Sequence, residues 1–175
     1  MTEYNFKEHT HRFAAWAAAR AASTSTFRFS VADGKKWLEA SCSLRMCAGE
    51  PEKLPIPEQF DATHKVWREE IMEAAGNPKN LYDGIAAKLI NIYLKAAVSC
   101  PQSANLPKAK AVHPPIDRLL LSELCKARPD IWRGQNLTWS RFNPEQYEDV
   151  IKNVRRTLGD GEPLWKIEEY WKGNQ

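Results

Sequence analysis

The chain has 175 residues, a net charge of +3 and 43% hydrophobic residues, and it contains seven tryptophans. A chain of this size can bury a core without covalent staples, and its composition excludes collagen-like, fibrous and extensively disordered classes. No run approaches the roughly 18 apolar residues of a membrane span. The opening MTEYNFKEHTHRF lacks the basic start and apolar run of a secretory signal, so the expectation is a cytoplasmic protein with no membrane partner.

The predicted elements are helical throughout. The first helix covers residues 3–22, an Ala-rich stretch of high helix propensity, with Phe6, Phe13, Ala17 and Ala21 on one broad face. Ser23-Thr24-Ser25-Thr26 breaks it. A second helix starts near Ser30 and runs through Val31, Trp37, Leu38 and Leu44, with Gly34 inside it. Residues 48–57, AGEPEKLPIP, read as a loop. A third helix spans 57–75, where Phe60, His64, Trp67, Ile71 and Ala75 step by three or four and Gly76-Asn77-Pro78 ends the run.

A fourth helix runs from about Gly84 to Ser99, and a Pro- and Lys-bearing loop follows from Cys100 to His113. Pro114-Pro115 opens a fifth helix, with Asp117 in its first turn and Ile116, Leu119, Leu120 and Leu124 on its buried face. Residues 128–143 are irregular and hold Trp132, Trp139 and Phe142. Asn143-Pro144 with Gln146 starts a sixth helix through Leu158, with Asn as cap and Pro at the first helical position. Gly159-Asp160-Gly161 ends it. A short last helix carries Trp165, Ile167, Tyr170 and Trp171. No segment sustains the two-residue alternation of a strand, so the expectation is an all-α fold in a single domain, residues 1–175.

The cysteines Cys42, Cys47, Cys100 and Cys125 show no C-x-x-C spacing. They read as free buried thiols, with no metal site and no cofactor implied. The sequence pI of about 8.6 permits nucleic-acid binding without arguing for it, because strong binders usually exceed about 9. Arg12, Arg20, Arg28, Lys35, Lys36 and Arg45 make the first 48 residues locally basic, either as a solvated helical surface or as a track for a nucleic-acid backbone. Trp132, Trp139, Trp165 and Trp171 read as core aromatics, or as a stacking platform for bases.

The fourth helix bears the chemistry. GIAAKLINIYL, residues 84–94, is apolar on nearly every side, yet Gly84, Lys88, Asn91 and Lys95 share one stripe. An ammonium on a buried helix is costly unless it is paired or faces a cleft. The second element is HPPIDRLLL, residues 113–121, where the Asp117 carboxylate suits a helix start on structural grounds alone. His113 fits a turn as well as it fits a functional role.

The order of these two elements resembles the helix-hairpin-helix DNA glycosylase superfamily. In that family a Gly-hydrophobic-Gly-x-Lys hairpin runs into an apolar helix, and a loop then leads to hydrophobic-Pro-hydrophobic-Asp at the next helix start. Gly84-Ile85-Ala86-Ala87-Lys88 resembles the first motif, with Ala86 in place of the second glycine, and Pro115-Ile116-Asp117 resembles the second, 29 positions from Lys88 to Asp117. The similarity covers residues 57–127. It implies a compact orthogonal helical bundle, DNA as partner, and base excision with AP-lyase chemistry. Lys88 matches the catalytic lysine and Asp117 the catalytic aspartate. Gly84, Ile85, Ala86 and Asn91 fall on the DNA-binding hairpin and the start of its helix.

The residue types suit that reaction. A flipped nucleotide loses its base through a sugar with oxocarbenium character. A carboxylate near C1′ stabilises that charge, and an amine of depressed pKa attacks C1′ to give a Schiff base. Hairpin N–H groups would hold a DNA phosphate. The rival expectation is a non-catalytic helical module that binds nucleic acid or protein.

Overall fold

A computed structural model describes residues 4–48, 50–100, 106–136 and 138–173. All regular elements among these residues are helical. The helices are α1 (Phe6–Ala22), α2 (Val31–Ala40), α3 (Cys42–Cys47), α4 (Pro57–Ala74), α5 (Asp83–Leu94), α6 (Arg118–Ala127), α7 (Pro129–Trp132) and α8 (Pro144–Leu158). Short 3-10 turns at Pro107–Ala111, Trp139–Arg141 and Leu164–Tyr170 join or follow them, and a π-helical turn, Lys95–Ser99, extends α5. No helix among the described residues is long and apolar enough to cross a membrane.

The α1 helix packs against α5 and α2, and its Ala14, Ala15, Ala18, Ala19 and Ala22 are all essentially solvent-free. Small side chains let the backbones approach closely. Phe6 and Phe13, placed on the apolar face by periodicity, instead point outward, at 83% and 58% exposure. The alanine face is buried because α5 is itself bulky there, with Leu89, Ile90 and Tyr93 in the same core cluster. His11, in a polar segment, also turns inward, where its ring contacts the Tyr93 hydroxyl at 2.7 Å and Glu39 at 3.0 Å.

The second predicted helix is two. Ser30 and Asp33 form a reciprocal capping box at the start of α2, and the chain turns extended at Ser41 before α3 begins. Gly34 sits at the α1–α2 crossing, where a Cβ would fall 2.7 Å from the Ala19 Cβ. The α4 helix ends at Gly76, whose φ of +81° lies in the left-handed region that glycine tolerates.

The α6 helix begins later than its prolines suggest. Pro114 and Pro115 stay outside it, and Asp117 is the N-cap, its side chain accepting from the Leu120 N–H at 2.9 Å. Leu119 is accordingly exposed, while Ile116, Leu120 and Leu124 are buried. The α8 helix matches expectation at its start: Asn143 and Gln146 form a capping box with Pro144 at the first position. The last predicted helix is a 3-10 turn rather than an α-helix. Cys47 alone of the thiols is buried; Cys42 and Cys100 are exposed and Cys125 is half-buried.

The core forms two clusters. One joins α1–α5. The other joins α6, α7, α8 and the Leu164–Tyr170 turn around Trp132, Phe142 and Tyr147. The α5 helix lies between them, with Ala86, Leu89 and Tyr93 in the first cluster and Ala87 in the second. Such a helix must be apolar nearly all round, which accounts for its composition.

Candidate functional site

The polar stripe of α5 faces the second cluster. Each member meets a partner there. The Gly84 N–H donates to the Phe142 carbonyl at 3.2 Å. Lys88 meets Asp117 and Trp139. Asn91 donates to the Pro114 carbonyl and the Tyr147 hydroxyl, and Lys95 pairs with Glu168. The stripe is thus a polar seam between the two halves of the core.

Lys88 and Asp117 converge. Lys88 Nζ lies 3.7 Å from Asp117 Oδ2 and 4.3 Å from the centroid of the Trp139 ring. Helix capping fixes Asp117 through Oδ1, while Oδ2 accepts from Trp171 Nε1 at 3.0 Å. The carboxylate is therefore held by two neutral donors and turned towards one cation. Lys88 itself is only 9% exposed. Burial removes water from its ammonium and lowers its pKa, and the Asp117 charge opposes that shift without cancelling it. A lysine in this state carries more neutral, nucleophilic amine at neutral pH than a solvated one. Trp139 roofs it, with its π face over the nitrogen.

The hairpin residues are not arranged as phosphate donors. Gly84, Ile85 and Ala86 are all buried. Their N–H groups are engaged within the chain, Gly84 with Phe142 and both Ile85 and Ala86 with the Tyr82 carbonyl. Gly84 serves backbone packing instead, since a Cβ there would strike the Trp139 carbonyl oxygen at 1.8 Å. Asn91 has no solvent exposure. It is a hub of the core and does not lie where DNA could reach it.

A larger polar constellation accompanies this seam, and its members come from four separate segments. Arg68 can only donate, and it donates to His64 Nδ1 at 2.9 Å. His64 therefore carries its proton on Nε2, which meets Asn91 Oδ1 at 2.8 Å. Asn91 Nδ2 then donates to the Tyr147 oxygen at 3.0 Å. The Tyr147 hydroxyl in turn donates to His113 Nδ1 at 3.0 Å, and His113 Nε2–H reaches Asp61 Oδ1 at 3.0 Å. Asp61 can only accept, and Arg155 clamps it with bonds of 2.8 and 2.7 Å. The obligate donor at one end and the obligate acceptor at the other set every proton between them.

Burial keeps both imidazoles neutral by lowering their pKa values. Burial alone would raise the Asp61 pKa, but the His113 and Arg155 contacts outweigh it and hold the carboxyl well below its usual range. A cavity of about 250 Å³ opens beside Asp61, Arg68, His113 and Tyr147. The sequence marks only part of this group: His64 reads as one more step of a buried helical stripe and His113 as a turn residue. The i, i+3 and i, i+4 spacing of Asp61, His64 and Arg68 on α4 was the available signal.

The remaining aromatics divide. Trp132 is core, its Nε1 bonded to the Thr157 hydroxyl at 2.8 Å. Trp139 and Trp171 belong to the Lys88–Asp117 site, and Trp165 is exposed. No group of three or more metal-ligating side chains assembles among the described residues. Comparison with known protein families, curated proteins and solved structures returns no match.

Proposed function

We propose that this chain is a divergent helix-hairpin-helix glycosylase-like protein that binds DNA and acts on a damaged nucleotide through Lys88. The observation that carries this reading is the approach of Lys88 Nζ to within 3.7 Å of Asp117 Oδ2 from a position 29 residues away. The neutral Lys88 amine attacks C1′ as the bond from C1′ to the base breaks, and the base leaves with the bonding electrons. The proton the amine gives up goes to the departing base. The nitrogen lone pair then breaks the C1′–O4′ bond, O4′ takes a proton from solvent, and the resulting iminium acidifies C2′–H, whose loss to solvent expels the 3′ phosphate. Asp117, beside the reacting centre, stabilises the positive charge on the sugar. Trp139 must swing from the amine to admit the nucleotide, and its backbone lies in a short 3-10 turn instead of a long helix.

One observation favours a second reading, a helical module that binds without catalysis. The N–H groups of residues 84–86 are bonded inside the chain, so hairpin contact with a phosphate lacks its donors. Lys88 would then serve as a clip that ties α5 to the α6 cap and the Trp139 ring.

Borohydride trapping on oligonucleotides with abasic or oxidised sites separates the two. The catalytic reading expects a covalent species with wild type and none with Lys88→Ala. Absence of trapping on every lesion, together with no base release, leaves the binding module.

A further inference from the structure

We infer that the notch between the end of α1 and the start of α2 is a phosphate-binding site. The cavity measures about 360 Å³, and Arg20, Thr24, Ser25, Arg28 and Ser30 line much of it. That volume falls at the small end of ligand pockets, about 300–1,000 Å³. No carboxylate lines it. Of the other nine arginines, Arg12, Arg45, Arg68, Arg128 and Arg155 are each paired with an acid, while Arg118, Arg133, Arg141 and Arg156 have no such pairing among the described residues. Among the described residues neither Arg20 nor Arg28 has such a pairing, so two arginines without a carboxylate partner line one notch.

The walls are built before any ligand arrives. Ser23 Oγ bonds both the N–H and the carbonyl of Phe29 at 3.2 Å. Thr24 meets Phe27 through its backbone N–H at 3.1 Å and its hydroxyl at 3.2 Å. These bonds fold the segment 23–29 back on itself and fix where Ser25 and Arg28 stand. Behind them, Gly34 holds α2 tight against Ala19 and the Phe29 ring. Asp33, an acid in the first turn of α2, is occupied by the Ser30 N–H and hydroxyl at 3.1 and 2.7 Å.

Two guanidinium forks with the Thr24 and Ser25 hydroxyls, which donate to no group in the chain among the described residues, match the tetrahedral oxygens of a phosphate better than a single carboxylate. The phosphate can belong to a DNA backbone or to a free phosphate ester. The site stands on its own geometry and needs no part of the Lys88 chemistry.

The test is an amide NMR titration of the full chain with inorganic phosphate against chloride at matched ionic strength. The expected result is saturable shifts at Ser25, Arg28 and Val31 with phosphate alone, weakened about tenfold or more in Arg20→Gln and in Arg28→Gln. Equal shifts with chloride, or phosphate shifts that neither variant weakens, overturn the site. Salt dependence of oligonucleotide binding then identifies the source. A slope smaller by about one in Arg28→Gln assigns a backbone phosphate; an unchanged slope beside saturable phosphate binding assigns a free ester. Failure of borohydride trapping leaves these outcomes intact, so the two proposals fail separately.

Discussion

The Gly84 Cα faces the carbonyl oxygen of Trp139 so closely that a Cβ would lie 1.8 Å from it. The glycine that resembles a DNA-hairpin residue thus seats the backbone segment that carries the roof over Lys88. Gly84→Ala must push back a main chain rather than a flexible side chain. Overpacking costs about 1–3 kcal/mol, and the expected loss is at the upper end, about 3 kcal/mol in urea unfolding. Tryptophan fluorescence of the folded variant should change as Trp139 moves. An unaltered midpoint would show that the segment yields freely.

Asp117 has separable duties, and two variants divide them. Asn caps a helix about as well as Asp, so Asp117→Asn keeps the Leu120 bond while removing the charge beside Lys88 and the acceptor for the Trp171 Nε1–H. Asp117→Ala loses both, and should be about 1 kcal/mol less stable than the Asn variant. Because the Asp117 charge raises the Lys88 pKa against desolvation, its removal lowers that pKa further. The rising limb of trapping against pH should shift to lower pH in Asp117→Asn, with a smaller plateau. A limb that stays in place would separate Asp117 from the protonation of Lys88.

The buried imidazoles predict acid sensitivity. His64 and His113 have folded pKa values below the ordinary value near 6.5. Below about pH 6.5 the unfolded chain therefore binds more protons, so their contribution is fully present above that pH and is lost as pH falls. One unit below the unfolded pKa, a histidine that stays neutral in the fold costs about 1.4 kcal/mol. The urea midpoint should drop between pH 7.5 and 5.5, and His113→Gln should show a shallower decline. Asp61, whose folded pKa is also depressed, adds its own loss below about pH 4. A stability flat from pH 7.5 to 5.5 would contradict the neutral, forced-tautomer chain.

The two faces of α1 give opposite expectations to those of hydrophobic periodicity. Phe6→Ser, at an exposed site, should change stability by no more than about 0.5 kcal/mol. Ala18→Leu, at a site with no exposure against α5, should cost about 1–3 kcal/mol by overpacking. Thermal unfolding of the two variants checks the pair, and a larger effect at Phe6 would reverse the assignment of faces.

Much of the architecture is legible in the chain because the signals are local. The Asn143-Pro144 start of α8, the Gly76 stop after α4 and the apolar run of α5 each act within about one helical turn. The all-helical class follows from such signals, and so does the isolation of Lys88 on a buried helix. What α1 buries is decided by its neighbours: five alanines are buried where α5 and α2 pack on it, and the larger Phe6 and Phe13 are left to solvent. The start of α6 was decided likewise by a side chain, since Asp117 caps it and excludes Pro114 and Pro115.

The site divides in the same way. By itself the sequence supplied two residue types suited to one reaction, a lysine and an aspartate on consecutive helices. Only the packing of α5 against α6 and the Trp139 turn set their 3.7 Å separation and lowered the lysine pKa, because desolvation and through-space charge depend on what surrounds a group. The chain from Arg68 to Asp61 was a tertiary product in all but its Asp61, His64 and Arg68 spacing on α4. Its hydrogen bonds join four segments distant in sequence, and each proton position follows from the neighbour before it.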